Sequence, residues 1–244
     1  MASASLLNMV LTTGAIFGAL TTYIYVSTGL AYRHRDNGLA YLLFVMGVGV
    51  WNGVFAVQFL STNPVVDQFF FSLSMVGALL AGLGWFLFAS TASTTPDIPA
   101  HRAVYGTAAV TVGLAITLLI TAPVHSFYWT MDATSSLLAE FTPKVGYWAH
   151  TGLLMGLFGG GSALFAVAWR RGESLIYTRV YTTAGVATVL ALLGSHVLTP
   201  GGMTAAPLIA VCLTTTGWLQ AKRWTPSFSL GSDGRSSTGG SEPE

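Results

Sequence analysis

Seven long apolar stretches, separated by short polar breaks, constrain the fold of this chain more than any other feature of its sequence. A helix that spans a bilayer needs about 20 mostly apolar residues, and each stretch has this character. None of them carries Asp, Glu, Lys or Arg in its middle. The stretches cover residues 6–32, 38–60, 66–91, 104–122, 146–169, 178–198 and 204–221. The sequence therefore predicts an all-α fold, a bundle of seven transmembrane helices.

The shortage of charge supports the same fold. Only 8% of the residues are charged, whereas a soluble domain carries about 25%, so lipid must solvate most of the surface. We expect residues 1–224 to form one transmembrane domain of a multi-pass protein of the cell membrane. Residues 225–244 are rich in Ser, Gly and Pro and are predicted to form a disordered cytoplasmic tail.

The basic residues beside the helices indicate the orientation of the bundle. If the N-terminus lies outside and the C-terminus in the cytoplasm, eight of them face the cytoplasm and only Lys144 faces outside. This asymmetry follows the positive-inside rule. The eight are Arg33, Arg35, Arg102, Arg170, Arg171, Arg179, Lys222 and Arg223.

Several functions are disfavoured by what the spans lack. A charge at mid-bilayer costs at least ~2.5–3.5 kcal/mol and is retained mainly for function, so charge-relay transport is disfavoured here. Lys144 and Lys222, the two lysines of the chain, lie at predicted helix ends, which excludes a retinal Schiff base at mid-membrane. The chain shows no catalytic motif and no basic run, so we expect neither an enzyme nor a nucleic-acid-binding protein.

Polar groups gather toward the predicted outer face and indicate a ligand pocket there. Its candidate residues are Asn52, His125, Trp129, Trp148, His150 and His196. Imidazoles also bind zinc, copper and haem iron, but the histidines show no metal-ligand spacing, so we predict no metal and no cofactor. A membrane carrier of haem or copper and a transporter of a neutral small solute remain alternatives.

Glycines recur at every fourth position of the fifth stretch, at Gly152, Gly156 and Gly160. Small residues at this spacing let helices approach closely. We expect them to serve packing within the bundle, and a homodimer interface is the second possibility.

The long connection before the fifth stretch is predicted to contain a short helix. Asp132 is a suitable N-cap, and the helix would run through Ser135 and Leu138 to Phe141, with Pro143 ending it.

Over most of its length the chain resembles the seven-helix N-terminal sensor region that precedes the kinase domain in histidine kinases of bacteria and archaea. Three parts of the second half carry the resemblance. They are residues 123–129 (PVHSFYW), residues 143–150 (PKVGYWAH), and the stretch from residues 193–195 (LGS) through residues 200–203 (PGGM) to Pro207.

The resemblance implies a non-enzymatic membrane sensor that passes an outer-face or intramembrane signal to the cytoplasm. Only about twenty residues follow the last span, so we expect a stand-alone bundle that signals through a separate cytoplasmic partner, a histidine kinase or a response regulator. The residues expected to couple the bundle to that partner are Arg170, Arg171, Glu173 and Arg179.

Overall fold

The computed structural model describes residues 2–34, 38–60, 64–92, 101–131, 141–172, 175–198, 209–215 and 218, and these are almost entirely helical. The helices are α1 (Ala2–Tyr32), α2 (Gly38–Leu60), α3 (Pro64–Ala92), α4 (His101–Ile120), α5 (Val145–Arg170) and α6 (Leu175–Leu193). Residues 209–215 are helical as well. A 3₁₀ turn (Ala122–Val124), two strands, β1 (Trp129–Met131) and β2 (Phe141–Pro143), and a π-helical turn (Gly194–Leu198) complete the described elements.

Five of these helices are long and apolar enough to cross a membrane. The spans are Thr12–Ala31, Gly38–Gln58, Gln68–Thr91, Ala103–Ile120 and Val145–Arg170. Helix α6 (Leu175–Leu193) is not among these five. The predicted seventh span is described only at residues 209–215 and 218. A helical membrane protein is thus confirmed, while the orientation of the bundle stays a prediction.

Helices α2 and α3 form the centre of the bundle and approach each other more closely than side chains would allow. A Cβ added at Gly47 would collide with the backbone of Ala81, and one added at Gly84 would collide with the backbone of Phe44. Glycine at these positions permits backbone-to-backbone contact, which stabilises helix pairs in lipid.

Aromatic side chains fill the core beside this helix pair. The Trp85 ring is fully buried, and its centroid lies 5.0 Å from Phe165 of α5 and 5.6 Å from Tyr181 of α6. Phe165 and Tyr181 approach each other to 4.6 Å. Helices α3, α5 and α6 are therefore joined by one continuous aromatic cluster.

The helical segment 209–215 packs against α1 and α2. The Tyr25 hydroxyl donates a hydrogen bond to Thr215 Oγ1 at 3.2 Å, and the Tyr41 hydroxyl donates to the Thr214 carbonyl at 3.1 Å. The buried side of this segment also carries Ala210 and Leu213, which belong to the main core.

Helix α5 defines two ends of the bundle that we name by its residues. The end where α5 begins, with both strands and the 3₁₀ turn, is the His150 end. The opposite end, where α5 ends and the turn to α6 lies, is the Arg170 end. The first is the predicted outer face and the second the predicted cytoplasmic face.

The prediction for the glycines of α5 is only partly met. A Cβ at Gly160 would lie 3.4 Å from the Phe86 ring, so this glycine packs within the bundle. A Cβ at Gly152 or Gly156 would meet nothing within 4 Å among the described residues. These two glycines lie on the side of α5 opposite to its buried residues, because the helical period carries every fourth residue along one face.

The prediction of a helix in the connection before α5 is wrong at its end. Phe141 and Pro143 lie in strand β2, which pairs antiparallel with β1 and sets Thr130 opposite Thr142. The antiparallel pairing gives the backbone of these residues hydrogen bonds between the two strands. Residues 132–140, including Asp132, lie outside the described ranges.

Candidate functional site

The β1–β2 hairpin is attached directly to the start of α5. The Lys144 amide donates a hydrogen bond to the Tyr128 carbonyl at 2.9 Å, and the Gly146 amide donates to the Phe127 carbonyl at 3.1 Å. A Cβ at Gly146 would lie 2.5 Å from the Phe127 ring, so only glycine fits this contact. These bonds place Tyr128 beside the first turns of α5.

Tyr128 covers the His150 side chain. The two ring centroids lie 6.0 Å apart with an edge-to-face arrangement, and the Tyr128 hydroxyl donates to the Ala115 carbonyl of α4 at 3.2 Å. Burial raises the pKa of the Tyr128 phenol above its usual value, so it stays neutral and keeps this hydrogen bond.

His150 is the least satisfied polar side chain at this end. It is 2% exposed, and neither of its ring nitrogens has a hydrogen-bond partner among the described residues. The hydroxyl of its neighbour Thr151 is also buried without a partner there. Leaving one buried polar group unpaired costs about 1–3 kcal/mol. Native proteins rarely accept this cost without a functional reason.

His196 lies beside Tyr147 of α5, in the segment where α6 leaves the regular helical path. After Leu193 the chain adopts a π-helical turn that contains Ser195 and His196, and such turns are frequent at functional sites. The His196 ring stacks on Tyr147 of α5 at a centroid distance of 5.8 Å. Because Tyr147 precedes His150 by three residues on α5, both histidines lie beside the first turns of this helix.

We call this group of side chains the imidazole cluster. It consists of Tyr128, Tyr147, His150, Thr151 and His196. Its two histidines were predicted from the sequence, whereas its two tyrosines were missed. Tyr147 precedes His150 by three residues and therefore shares its helix face, a signal that could have identified it.

His125 does not belong to the cluster, because its own segment occupies both ring nitrogens. Its Nε2 lies 3.0 Å from the Leu118 carbonyl, which can only accept, so Nε2 carries the hydrogen. Its Nδ1 accepts a hydrogen bond from the Phe127 amide at 3.3 Å. The His125 imidazole therefore links the end of α4 to the segment before the hairpin through hydrogen bonds.

Trp129 lies between the cluster and an open cavity of about 370 Å³. Its ring is 5% exposed, packs edge-on against Phe71 at 5.5 Å and contacts Tyr128 at the same distance. The cavity is lined by Gln68, Ala122, Val124, His125, Ser126, Trp129 and Thr130. It carries no charged side chain among these residues, so it suits a neutral occupant.

Two predicted pocket residues lie elsewhere. Asn52 is fully buried on α2, where its amide donates to the Val48 carbonyl at 2.9 Å, and a Cβ at Gly18 of α1 would lie 2.8 Å from its oxygen. These contacts place it between α1 and α2. Trp148 is 43% exposed on the lipid side of α5, although its ring touches that of Tyr147 at 5.4 Å.

The predicted coupling residues lie at the Arg170 end. Arg170, Arg171 and Arg179 are exposed, and the Arg179 guanidinium lies 5.1 Å from the centre of the Trp169 ring. Gly172 ends α5 with a φ of 80°, a conformation that favours glycine after a helix. Glu173 lies outside the described residues.

The side chains of the imidazole cluster offer hydrogen-bonding groups. Within the described residues, no three side chains of His, Cys, Asp or Glu lie close enough together to hold a metal ion. The cluster can exchange hydrogen bonds with a neutral molecule through an imidazole that has both a donor and an acceptor.

The described part of the chain is thus a helical membrane protein with a buried polar cluster at one end and a basic turn at the other. Comparison with protein families identifies the family of this membrane protein. Residues 9–221 match the family described as the N-terminal 7TM region of histidine kinase, so the chain belongs to that family. The region is the non-catalytic sensor part of those kinases. No curated protein matches the chain.

Proposed function

We propose that the chain is a sensor of the cell membrane in which the imidazole cluster detects a ligand and α5 and α6 relay the change to the Arg170 end. The observation that carries the proposal is His150, whose two buried ring nitrogens lack partners among the described residues. An unpaired imidazole in the interior is costly for a structural role, but it is well suited to receive a ligand.

The relay is supported by the path of two helices. Helix α5 carries His150 near its start and Arg170 at its end, while α6 carries Arg179 near its start and leads into the turn with His196. The two helices contact each other near the Arg170 end through Phe165 and Tyr181. A shift at the cluster therefore acts on both helices of the basic turn, and packed helices convert small shifts into discrete rearrangements.

The proposed output is a separate cytoplasmic signalling protein, a histidine kinase or a response regulator. The exposed guanidinium groups of Arg170, Arg171 and Arg179 suit an acidic surface on that partner, because arginine forms bidentate hydrogen bonds with carboxylates.

The relay is tested by a distance measured at the Arg170 end. Spin labels on Leu39→Cys and Val167→Cys, two exposed positions, are introduced in a Cys212→Ala background, and the interlabel distance is measured by pulsed electron resonance in lipid nanodiscs. We expect His150→Phe to shift the distribution by on the order of 1–2 Å, the size of typical helix displacements. Gly156→Ala, which faces open space, is the matched control and should change nothing.

A distribution that is identical for the parent and His150→Phe would contradict the relay. The partner is tested separately by cross-linking the tagged chain in its native membranes. We expect a histidine kinase or response regulator whose recovery falls when Arg170 and Arg171 are both replaced by serine. Recovery that is equal from parent and variant would exclude the basic turn as the docking site.

A further inference from the structure

The hydrogen bonds of Ser195 favour one tautomer of a neutral His196, the one that leaves Ser195 free to donate to the Leu192 carbonyl. Ser195 Oγ donates its one hydrogen to the Leu192 carbonyl at 3.3 Å. The same oxygen lies 3.0 Å from His196 Nδ1 and can therefore only accept there. In this tautomer, Nδ1 of His196 carries the ring hydrogen, and Nε2 carries a lone pair. His196 thus offers an acceptor to anything that enters the cluster.

His150 offers the complementary group. A neutral imidazole has one donor and one acceptor nitrogen, and neither is used among the described residues. Thr151 adds a buried hydroxyl that is also unused there. The cluster can therefore give at least one hydrogen bond and, in the favoured tautomer of His196, receive one at Nε2.

The ligand must be neutral. None of the hydrogen-bond and ring partners described for the cluster is charged. Burying an ion without a counter-charge costs far more than burying a polar group that is hydrogen-bonded. A metal cation or a carboxylate is disfavoured on this ground.

The walls of the cluster are flat rings. Tyr128 presents its edge to His150, and Tyr147 stacks on His196 with an interplanar angle of 18°. Aromatic pairs gain additional energy in edge-to-face and offset arrangements. His150 is the sixth residue of α5, about 8 Å along the helix from its start, and so lies inside the apolar span Val145–Arg170.

From these features we infer that the imidazole cluster binds a neutral aromatic molecule through a ring hydroxyl, the chemical class of phenols and hydroquinones. The inference rests on the proposed sensor function and names the ligand of the same site. A ring hydroxyl donates to His196 Nε2 and accepts from the N–H of His150. A quinone carbonyl has no hydrogen to donate, so it leaves the lone pair of His196 unpaired.

The test compares three probes on the full-length chain in lipid nanodiscs by calorimetric titration under anaerobic conditions. The probes are trimethylhydroquinone, its oxidised form trimethylbenzoquinone, and cyclohexanol as a non-aromatic alcohol. We expect the hydroquinone to bind at least about tenfold more tightly than the quinone, the equivalent of one hydrogen bond. Cyclohexanol should bind more weakly than the hydroquinone, because it has no aromatic face.

Variants locate the binding. His150→Phe keeps a flat ring and removes both nitrogens, and we expect it to weaken hydroquinone binding by about tenfold or more. His196→Phe serves as a second variant and should abolish the preference for hydroquinone over quinone. His34→Phe, an exposed histidine at the Arg170 end, is the matched control and should leave binding unchanged.

The outcomes separate this inference from the proposed function. Quinone binding as tight as hydroquinone binding, or hydroquinone binding that His150→Phe and His196→Phe leave intact, overturns the ligand class. No hydroquinone binding, together with a spin-label distance that still responds to His150→Phe, also overturns the ligand class but leaves the relay standing. Selective hydroquinone binding without any change of that distance supports the ligand class and contradicts the relay.

Discussion

Replacement of His150 by phenylalanine is expected to raise the free energy of unfolding of this protein in the absence of ligand. The imidazole has two buried nitrogens without described partners. An unpaired buried group costs ~1–3 kcal/mol, and we take about 2 kcal/mol as the gain from removing this polar ring. The slightly larger ring costs about 1 kcal/mol of overpacking against Tyr128. The net expectation is a gain of about 1 kcal/mol.

His125→Phe provides the contrast, because it lies at the same end of the bundle and its nitrogens are both bonded. Its loss removes hydrogen bonds to the Leu118 carbonyl and from the Phe127 amide, at about 0.5–1.5 kcal/mol each. We expect this variant to lose about 1–3 kcal/mol of stability. The two histidine variants should therefore change stability in opposite directions.

Both values are obtained from reversible unfolding in mixed micelles, where the fraction of denaturing detergent is raised and the midpoint is followed by circular dichroism. The reasoning is refuted if His150→Phe destabilises the protein by more than about 1 kcal/mol, because that loss would equal at least one net hydrogen bond. The nitrogens of His150 would then be paired in the folded protein, and the argument for a ligand would lose its basis.

Three further predictions concern other parts of the bundle. Gly84→Ala should lower the unfolding midpoint strongly, because its Cβ collides with the backbone of α2, whereas Gly156→Ala should be tolerated. Burial raises the pKa of the Tyr128 phenol above its usual value of 10.0. The neutral phenol should therefore contribute its full share to the free energy of unfolding below about pH 10, and this share should be lost as the pH rises further. The loss should be smaller in Tyr128→Phe. Arg179→Ala should cost about 0.5–1 kcal/mol through the lost contact with Trp169 and leave hydroquinone binding unchanged.

The helices were predictable because length and apolar character are one-dimensional properties of a sequence. The predicted span 38–60 coincides with α2 as observed, and polar breaks containing Pro and Gly end helices for local reasons. The regular part of α6 was overestimated, since the π-helical turn from Gly194 onward depends on contacts with α5. The β1–β2 pairing was missed because each strand has only three residues, too few to show an alternating pattern.

The candidate site was predictable in part. Sequence reasoning grouped three histidines by their distance from the membrane surface, and two of them, His150 and His196, lie beside the first turns of α5. The depth of a histidine does not reveal which groups its ring nitrogens bond to. Sequence reasoning could therefore not distinguish His125, whose nitrogens are both hydrogen-bonded to its own segment, from the other two histidines. Tyr128 joins the site through hydrogen bonds of the hairpin to α5, a tertiary contact that no local pattern encodes.

The π-helical turn at Gly194–Leu198 has a consequence for how this protein can evolve. A π turn holds one residue more than an α turn, so deletion of a single codon within it would restore a continuous helix. Because the π turn absorbs the extra residue, a deletion at Gly194 or Ser195 would leave the residues beyond the turn on their present face but would shift those inside it, His196 among them. A deletion that makes this helix regular would therefore also move His196 away from Tyr147. If the imidazole is used, selection for it also preserves the π-helical turn.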